Sequence, residues 1–401
     1  MKYRKMGKLD WQVSALGFGC MRLPTRRKSM LSRVNKEEAI KIIRSAIDQG
    51  VNYFDSAYVY HLGASEKVLG EALQDGYREK VHIATKLFMM LVRKPEDFDK
   101  QLAKQLERLQ TEYIDVYLFH GLNRKKFEQV KEMGLLDKMI EAKEKGLIKH
   151  IGFSFHDTLS VFKEIIDYFD WDVCQIIYNY MDTGMQATTE GLKYAHEKGV
   201  ATVIMGPLKG GLLADPPDEA IDVMKHVKVQ RSPIDWALQF LWNLPEISTI
   251  ISGMSTQEMV DENCTYADKS GVNSLNNDDL EVLQQLADIF EKRILVPCTT
   301  CQYCMPCPYG VNIPDNFALL NYLSHEKEGF RRWRVRRRYR KLMVSKSKDL
   351  DIENPNGNAS FCTRCNECIE KCPQEIQIPD ELEKVHAILA KKENISDYYQ
   401  D

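Results

Sequence analysis

The sequence lacks several features that would place it in a common functional class. No apolar run approaches the ~18 residues of a transmembrane helix, and the first 20 residues lack the apolar core of a signal peptide. The formal net charge is only -3, which gives no reason to expect nucleic acid as a partner. We therefore expect a cytoplasmic protein with no membrane contact, in a compartment that keeps thiols reduced.

A GxGxxG dinucleotide-binding fingerprint is also missing after the first predicted strand. Short apolar runs instead alternate with helical patterns. The runs span residues 14–19, 51–55, 81–86, 114–120, 150–154, 172–178, 201–206 and 247–252. Each run is apolar through its middle, as a strand buried on both faces should be. Eight strand–helix repeats over about 250 residues predict an α/β fold of the (β/α)8 TIM barrel type, with a doubly wound sheet as the alternative.

Helix boundaries support the same reading. The pattern predicts a helix over residues 35–50, with Asn35 as its N-cap, Glu38 three residues later and Gly50 at its end. Glycine also precedes the strands in "KGLIKH" and "EKGVAT". A further helix is predicted over residues 274–293, after which Pro297 and a cysteine motif begin a second domain. We thus predict a barrel domain over 1–293 and a second domain over 294–401.

Eight of the 11 cysteines fall in two tight runs, C-x2-C-x2-C-x2-C-P and C-x2-C-x2-C-x3-C-P. The second run is close to the bacterial ferredoxin motif. A zinc site would instead need two pairs of ligands separated by a loop, and disulfides are disfavoured in the cytoplasm. The runs therefore predict two 4Fe–4S clusters, held by Cys298, Cys301, Cys304, Cys307, Cys362, Cys365, Cys368 and Cys372.

In two-cluster ferredoxins the fourth cysteine of each run binds the other cluster. On that pattern Cys372 would join the first run, and Cys307 would join the second, although the uncrossed assignment stays open. The long stretch between the runs contains helix-like segments, so a mainly helical ferredoxin-like domain is expected. Within it, eight of the eleven residues 331–341 are Arg or Lys. This segment is either a solvated helix or a docking patch for an acidic electron carrier such as a ferredoxin or flavodoxin.

Four ionisable side chains stand at or just after the ends of three successive predicted strands. They are Asp55, Tyr60, Lys86 and His120. In a TIM barrel the chemistry occurs at this end of the strands. A lysine at a strand end is often only a snorkelling side chain, but burying Lys86 without Asp55 would leave an unpaired charge that costs several kcal/mol. The four groups therefore form a candidate catalytic site.

The order Asp, Tyr, Lys, His, with "FDSAYVY", "SE" and "LGEAL" around the first two, resembles the aldo/keto reductase superfamily. "GPLKGG" at 206–211 and "EN" at 262–263 extend the resemblance over roughly residues 1–290, and the whole chain resembles the iron–sulfur subgroup. The resemblance implies an oxidoreductase that reduces a small aldehyde or ketone, or oxidises the alcohol. Tyr60 would donate the proton, Lys86 would lower the tyrosine pKa, Asp55 would hold the lysine, and His120 would orient the substrate oxygen.

The resemblance also implies NADP or NAD as cofactor. Ser154 and Gln175 would bind the nicotinamide amide, although Phe155 stands where many members have Asn. Met205 takes the place of the usual stacking aromatic residue. Met259 replaces an Arg that is common in NADP-preferring members, which leaves the choice between NAD and NADP open. The remaining implied contacts are Gly206, Pro207, Leu208, Gly253, Met254, Ser255, Thr256 and, near the adenine, Asn263.

Two alternatives follow from electron counting, because a hydride carries two electrons and each cluster carries one. In the first, the barrel binds a flavin in the room left at Met205, and the protein is a ferredoxin-linked redox enzyme. In the second, the chain is a non-catalytic electron-transfer or structural subunit. The short span 294–298 further predicts that the cysteine domain folds back over the barrel.

Overall fold

The computed structural model describes residues 1–25, 34–298, 304–325, 329–342, 357–372 and 374–399. The chain divides into two compact units, one of residues 1–215 and 229–283, the other of residues 216–228 and 284–401. The functional domain boundary at 293/294 and the docking of the cysteine domain onto the barrel stay predictions.

The first unit is a closed barrel of eight parallel strands, which confirms the predicted (β/α)8 fold. A short hairpin of β1 (Tyr3–Lys5) and β2 (Gln12–Ser14) precedes it. The barrel strands run in sequence order, and the last closes against the first. They are β3 (Leu16–Gly19), β4 (Tyr53–Asp55), β5 (His82–Leu87), β6 (Ile114–Leu122), β7 (Ile148–Phe155), β8 (Val173–Ile177), β9 (Ala201–Met205) and β10 (Ile247–Ser252).

Helices follow most of the strands, as the sequence pattern predicts. They are α1 (Lys36–Asp48), α2 (Ala64–Ala72), α3 (Glu96–Leu109), α4 (Arg124–Glu132), α5 (Leu135–Glu144), α6 (Leu159–Tyr168), α7 (Thr188–Glu197), α8 (Asp218–Lys225), α9 (Pro233–Trp242), α10 (Gln257–Asp268) and α11 (Asn277–Glu291). Among these, α8 belongs to the second compact unit and α11 begins in the first.

The strands separate two apolar cores because their side chains alternate. On β6, Val116 and Leu118 belong to an inner cluster, whereas Tyr117 and Phe119 belong to an outer cluster that includes helix residues. Met6 and Leu9, from the connection between β1 and β2, join the inner cluster. Each fully buried aliphatic side chain contributes roughly 1.5–3 kcal/mol. This core makes the strand ends a rigid platform for the site.

Helix ends match the sequence pattern in part. Asn35 occupies the N-cap position of α1, but its side chain accepts no hydrogen bond there, so the expected capping box is wrong. Gly146 and Gly199, with φ of 73° at each, end α5 and α7. In both cases the next residue donates its N–H to the carbonyl five residues earlier, which closes the helix and turns the chain into a strand.

The second unit is mainly helical, as predicted for the C-terminal region. Its core is formed by α12 (Ile313–His325), α13 (Phe330–Lys341) and α14 (Ile378–His386), and it includes Phe317, Leu320, Tyr339 and Leu382. Asn316 is fully buried and accepts from the N–H of Ala359 at 2.9 Å, which ties α12 to the start of the second cysteine run. Across the described ranges, no helix is long and apolar enough to cross a membrane.

Candidate functional site

Lys86 and Asp55 form the centre of the candidate site. Lys86 Nζ donates to both carboxylate oxygens of Asp55 and to the carbonyl of Ser56, each at 2.7 Å. Lys86 is fully buried and Asp55 is 4% exposed, so neither charge is hydrated to any extent. Burial lowers the pKa of the ammonium, but Asp55 and Tyr60 raise it more, and the net pKa lies above the ordinary value. Lys86 therefore stays charged at neutral pH.

Tyr60 and His120 complete the predicted group of four. Lys86 Nζ lies 5.1 Å from the centroid of the Tyr60 ring. The Tyr60 and His120 rings meet edge to face, with centroids 6.2 Å apart. The ring of Phe88 also lies beside His120, with the two ring centroids 5.9 Å apart. The structure thus brings together all four side chains that the sequence places at separate strand ends.

Lys86 lowers the pKa of Tyr60, as predicted, but burial has the larger effect. Burial raises the pKa of the phenol, and although the ammonium of Lys86 opposes this, the net pKa lies above the ordinary value of 10.0. The effect of burial on the Tyr60 pKa is larger than that of the Lys86 ammonium, because the enclosed surroundings disfavour the charged phenolate. At neutral pH Tyr60 is therefore a protonated phenol, which is the form that a proton donor requires.

His120 is neutral at the site. Burial lowers its pKa well below 6.5, and the positive charges of Lys86 and Lys126 lower it further, together with His156. The buried Nδ1 of His120 has no hydrogen-bond partner among the described residues. An unsatisfied buried nitrogen costs about 1–3 kcal/mol, which a substrate oxygen or a water in the site would recover.

A buried hydrogen-bond network around Glu66, which the sequence does not predict, reaches the backbone of Lys86. Glu66 accepts from Thr85 Oγ1 at 2.8 Å, from Gln105 Nε2 at 2.6 Å and from Arg108 at 3.0 Å. Gln105 also lies 3.1 Å from the carbonyl of Lys86. Glu66 is part of the "SE" motif quoted above, and that motif was the available sequence signal for this network. No sequence pattern, however, shows which strand the Glu66 side chain contacts.

The predicted nicotinamide contacts lie at the same end of the barrel. Gln175 Nε2 donates to Asp55 Oδ2 at 2.6 Å, while its buried Oε1 has no partner in the described part of the chain. Ser154 Oγ accepts from the N–H of Gly121 at 2.7 Å. Phe155 is fully buried beside Phe162, so no polar group stands at that position. The free oxygen of Gln175 suits the amino group of a carboxamide.

Two loops carry the other predicted cofactor contacts. Met205 ends β9 and is partly buried, and the loop that follows contains Gly210 and Gly211 with φ of 72° and 105°. A Cβ on Gly211 would meet no atom within 4 Å, so this backbone is open to a ligand. Asn263 Nδ2 donates to Ser252 Oγ at 2.9 Å. The loop residues are Gly206, Pro207 and Leu208 after β9, and Gly253, Met254, Ser255 and Thr256 before α10.

Five of the predicted cluster ligands line one cavity in the second unit, together with Ile313, Pro379 and Leu382. They are Cys304, Cys307, Cys362, Cys365 and Cys368. Burial raises the pKa of the Cys368 thiol to about 11, and Cys362, Cys365 and Cys307 raise it further. Thiols from both runs therefore lie close together.

Cys298 and Cys372 pack against the core of the same unit, whereas Cys301 lies outside the described residues. Within the described ranges, no three His, Cys, Asp or Glu side chains converge closely enough to hold a single metal ion.

Comparisons with known proteins agree with the predictions for the barrel region and for the cysteine-rich region. The sequence profile of the aldo/keto reductase family matches residues 15–285, and that of a 4Fe-4S dicluster domain matches residues 297–378. L-galactose dehydrogenase of Arabidopsis thaliana is 29% identical over 323 residues, which cover 73% of this chain and 95% of the relative. The NADH-specific methylglyoxal reductase of Escherichia coli is 27% identical over 232 residues, which cover 53% and 69%.

Among solved structures, an aldo-keto reductase from Bacillus halodurans in its holo form superposes with a TM-score of 0.60 at 26% identity. The match covers 71% of this chain and 96% of that one. The barrel therefore accounts for nearly the whole of that relative, and the cysteine-rich region extends beyond the match.

Proposed function

Because the chain belongs to the aldo/keto reductase family and carries a 4Fe-4S dicluster domain, we propose that its barrel reduces a small aldehyde or ketone, or oxidises the alcohol, with NADP or NAD. One observation carries the proposal. A buried ammonium, held by a carboxylate, lies beside a protonated phenol and a neutral imidazole at the carboxyl ends of the strands. Carbonyl reduction needs such a proton donor and such a hydrogen-bonding group.

Each side chain then has a distinct part. The nicotinamide would supply the hydride to the carbonyl carbon, or accept it in reverse. Tyr60 donates its proton to the oxygen, and Lys86 stabilises the phenolate that remains. Asp55 keeps the ammonium in place, and His120, which is neutral, hydrogen-bonds the substrate oxygen. These groups are fixed before the substrate arrives, so little reorganisation is needed during the reaction.

The residues that would hold the nicotinamide are Ser154, Gln175 and Met205, with the loops at 206–208 and 253–256 for the phosphates and Asn263 near the adenine. The unsatisfied Oε1 of Gln175 and the open backbone at Gly211 support this arrangement. The name of the Escherichia coli relative indicates that NADH serves at least one relative. The flavin alternative has no support in these comparisons.

The replacement of Tyr60 by phenylalanine tests the proposal. Tyr60→Phe should lower kcat for carbonyl reduction by about 10²–10⁴-fold, because it removes the proton donor and little else. The dissociation constant for NADH or NADPH should change little. Tyr58→Phe is the matched control, since its ring covers Arg108 rather than Lys86. Full turnover by Tyr60→Phe would exclude the assignment.

For the second domain, taken from residue 294 onward, we propose two 4Fe–4S clusters with crossed ligands. Cys298, Cys301, Cys304 and Cys372 would hold the first cluster, and Cys362, Cys365, Cys368 and Cys307 the second. The cavity that Cys307 shares with the second run supports the crossing. Cys304 lines the same cavity, so the uncrossed assignment remains the competing one.

An acidic electron carrier, a ferredoxin or flavodoxin, is the partner that suits the second domain. The helix α13 exposes five cations with no acidic partner among the described residues: Arg334, Arg337, Arg338, Arg340 and Lys341. Exposed charge of one sign speeds association with the opposite sign. Reversing Arg337 and Arg338 to Glu should slow reduction of the clusters by such a carrier at low salt, and the difference should disappear at high salt.

A further inference from the structure

Lys126 is a cationic side chain beside the candidate site that the proposed reaction does not use. It stands on the first turn of α4, and its Nζ extends back to the carboxyl end of β6, where it donates to the carbonyl of Gly121 at 2.8 Å. The carbonyl of His120 lies 3.4 Å from the same Nζ. An ammonium has three donors, so at least one N–H of Lys126 is left for another acceptor.

The ammonium of Lys126 lies near the ends of two neighbouring strands, β6 and β7. Gly121 has a φ of 63°, and a Cβ built on it would lie 3.3 Å from Lys126 Nζ and 3.5 Å from His156 Cδ2. His156, the residue after β7, donates its N–H to the carbonyl of Leu122 at 2.9 Å, which fixes this part of the loop against β6. Glycine at position 121 therefore keeps the space beside the ammonium open.

The positive charge of Lys126 has no acidic partner in the part of the chain that the structure describes. Asp157, on the loop after β7, accepts instead from the N–H of Arg124 at 2.8 Å and from that of Thr158 at 2.7 Å. Lys126 is only partly exposed, and burial lowers the pKa of its ammonium with no acid to oppose the effect. A partly buried cation without a counter-charge is costly, and an anionic ligand would offset that cost.

The charge of Lys126 also acts on the imidazole that would orient the substrate oxygen. Burial lowers the pKa of His120 most, and the positive charge of Lys126 lowers it further. Burial likewise lowers the pKa of His156 to about 4, with a smaller contribution from Lys126. Both imidazoles are therefore neutral at pH 7. Among the described residues around His120, Lys86 is already paired with Asp55, which leaves Lys126 as the cation that an anion would meet.

We propose that Lys126 binds an anionic group on the carbonyl substrate, so that the site prefers a substrate with a carboxylate or phosphate to an uncharged aldehyde or ketone. The inference rests on the proposed function, because it requires carbonyl reduction at Tyr60 and His120. The carbonyl oxygen would lie at these two side chains, and the anionic group would accept a charge-assisted hydrogen bond from Lys126. Since Lys126 Nζ lies at the backbone of the same histidine, the two groups of the substrate would be only a few carbon atoms apart.

The reaction itself leaves the anionic group unchanged. The carbonyl carbon takes a hydride from the reduced nicotinamide, and the carbonyl oxygen takes the proton of Tyr60. An oxo acid would therefore become a hydroxy acid, and a phosphorylated aldehyde would become a phosphorylated alcohol. Lys126 takes no part in these transfers and only holds the substrate.

The test compares two matched pairs of aldehydes at constant ionic strength, with kcat and KM measured from the oxidation of NADH or NADPH. Succinic semialdehyde is paired with butanal, and glyceraldehyde 3-phosphate is paired with glyceraldehyde. The wild type should prefer the charged member of at least one pair, and the pair with the larger preference identifies carboxylate or phosphate as the anionic group. Lys126→Met should reduce that preference by about 10- to 100-fold, mainly through KM, as expected for a lost charge-assisted hydrogen bond.

Two further variants separate the charge of Lys126 from a structural role. Lys126→Arg keeps the positive charge and should keep most of the preference. Lys125→Met, at the exposed neighbour on the same turn, removes the same charge and should keep the preference of the wild type. Equal losses of activity towards both members of a pair in Lys126→Met would make Lys126 a structural residue and overturn the inference.

Two other results would also overturn the inference. Equal kcat/KM values for the charged and uncharged members of both pairs in the wild type would do so while leaving carbonyl reduction in place. A preference that Lys126→Met retains in full would assign the anion to other residues. A wild type that reduces none of the four aldehydes would instead reject the proposed function, and the inference with it.

Discussion

At the scale of single residues, the buried pair of Lys86 and Asp55 dominates the site. Two charges have been removed from water and are compensated by their mutual contacts, by Ser56 and by Gln175. Removing either partner leaves the other as a buried charge with weaker compensation, which is strongly destabilising. The pair is therefore a structural constraint on the barrel in addition to its proposed part in catalysis.

Single and double substitutions of this pair should not be additive. Lys86→Met and Asp55→Asn should each lower the free energy of unfolding by about 3–5 kcal/mol, because each leaves the other residue's buried charge unpaired. The double variant should lose clearly less than the sum, since no unpaired charge remains. Urea unfolding of the full chain, followed by tryptophan fluorescence, provides the values. Additivity within about 0.5 kcal/mol would show that the two charges do not interact.

At the scale of secondary-structure elements, Asp172, the residue before β8, links that strand to its neighbour β7. Its carboxylate accepts from the N–H of Ile151 at 2.9 Å and from Lys143 at 3.1 Å. Burial raises its pKa, but His150, Ile151 and Lys143 lower it more, and the net pKa is about 2 against an ordinary 3.8. A lowered pKa means that the folded chain favours the carboxylate.

The barrel should therefore lose stability on acidification. The contribution of Asp172 is present above its unfolded pKa near 3.8 and is lost as pH falls towards 2. A shift of this size corresponds to about 2 kcal/mol. Asp172→Asn should lower the free energy of unfolding at pH 7 and flatten its decline between about pH 4 and 2. Asp170→Asn is the control, because that side chain is 87% exposed. An unchanged pH slope in Asp172→Asn would contradict the assignment.

Strands and site were predictable to different degrees. The apolar run of β10 ends where the strand ends, at residues 247 and 252, because burial alone defines it. By contrast β6 continues to Leu122, beyond its predicted end at His120, since Leu122 pairs with Phe155 after a register shift. The approach of Asp55, Tyr60, Lys86 and His120 to one another was predictable because parallel strand ends meet. The bond from Gln175 to Asp55 and the raised pKa of Tyr60 were not, because both depend on three-dimensional packing.

At the scale of the whole molecule, the proposed function joins two redox chemistries with different electron counts in one chain. The reaction proposed for the barrel would transfer two electrons as a hydride, and each proposed cluster would transfer one. The cysteine cavity lies within the second unit and involves both runs. The clusters should therefore be assembled only when both ends of that unit are present and folded.

Iron content tests this view of the second unit. Protein purified without oxygen should carry about eight irons and eight sulfides, as two four-iron clusters require. Cys307→Ser should lose about four of each and destabilise the cavity that it shares with Cys362. Cys264→Ser, at a buried cysteine of α10, should keep all eight. Stoichiometric zinc without sulfide would reject the clusters.

The most direct test of the account follows the hydride itself. NADH or NADPH with both hydrogens at C4 replaced by deuterium should transfer one deuterium to the carbonyl carbon of a small substrate such as methylglyoxal, as seen by mass spectrometry of the alcohol. Direct hydride transfer at the proposed catalytic site predicts full retention of the label, and Tyr60→Phe should form little labelled product. Loss of the label to water would indicate an exchangeable carrier such as a reduced flavin between nicotinamide and substrate. Cluster reduction without any labelled alcohol, across a panel of aldehydes and ketones, would contradict the carbonyl reductase assignment.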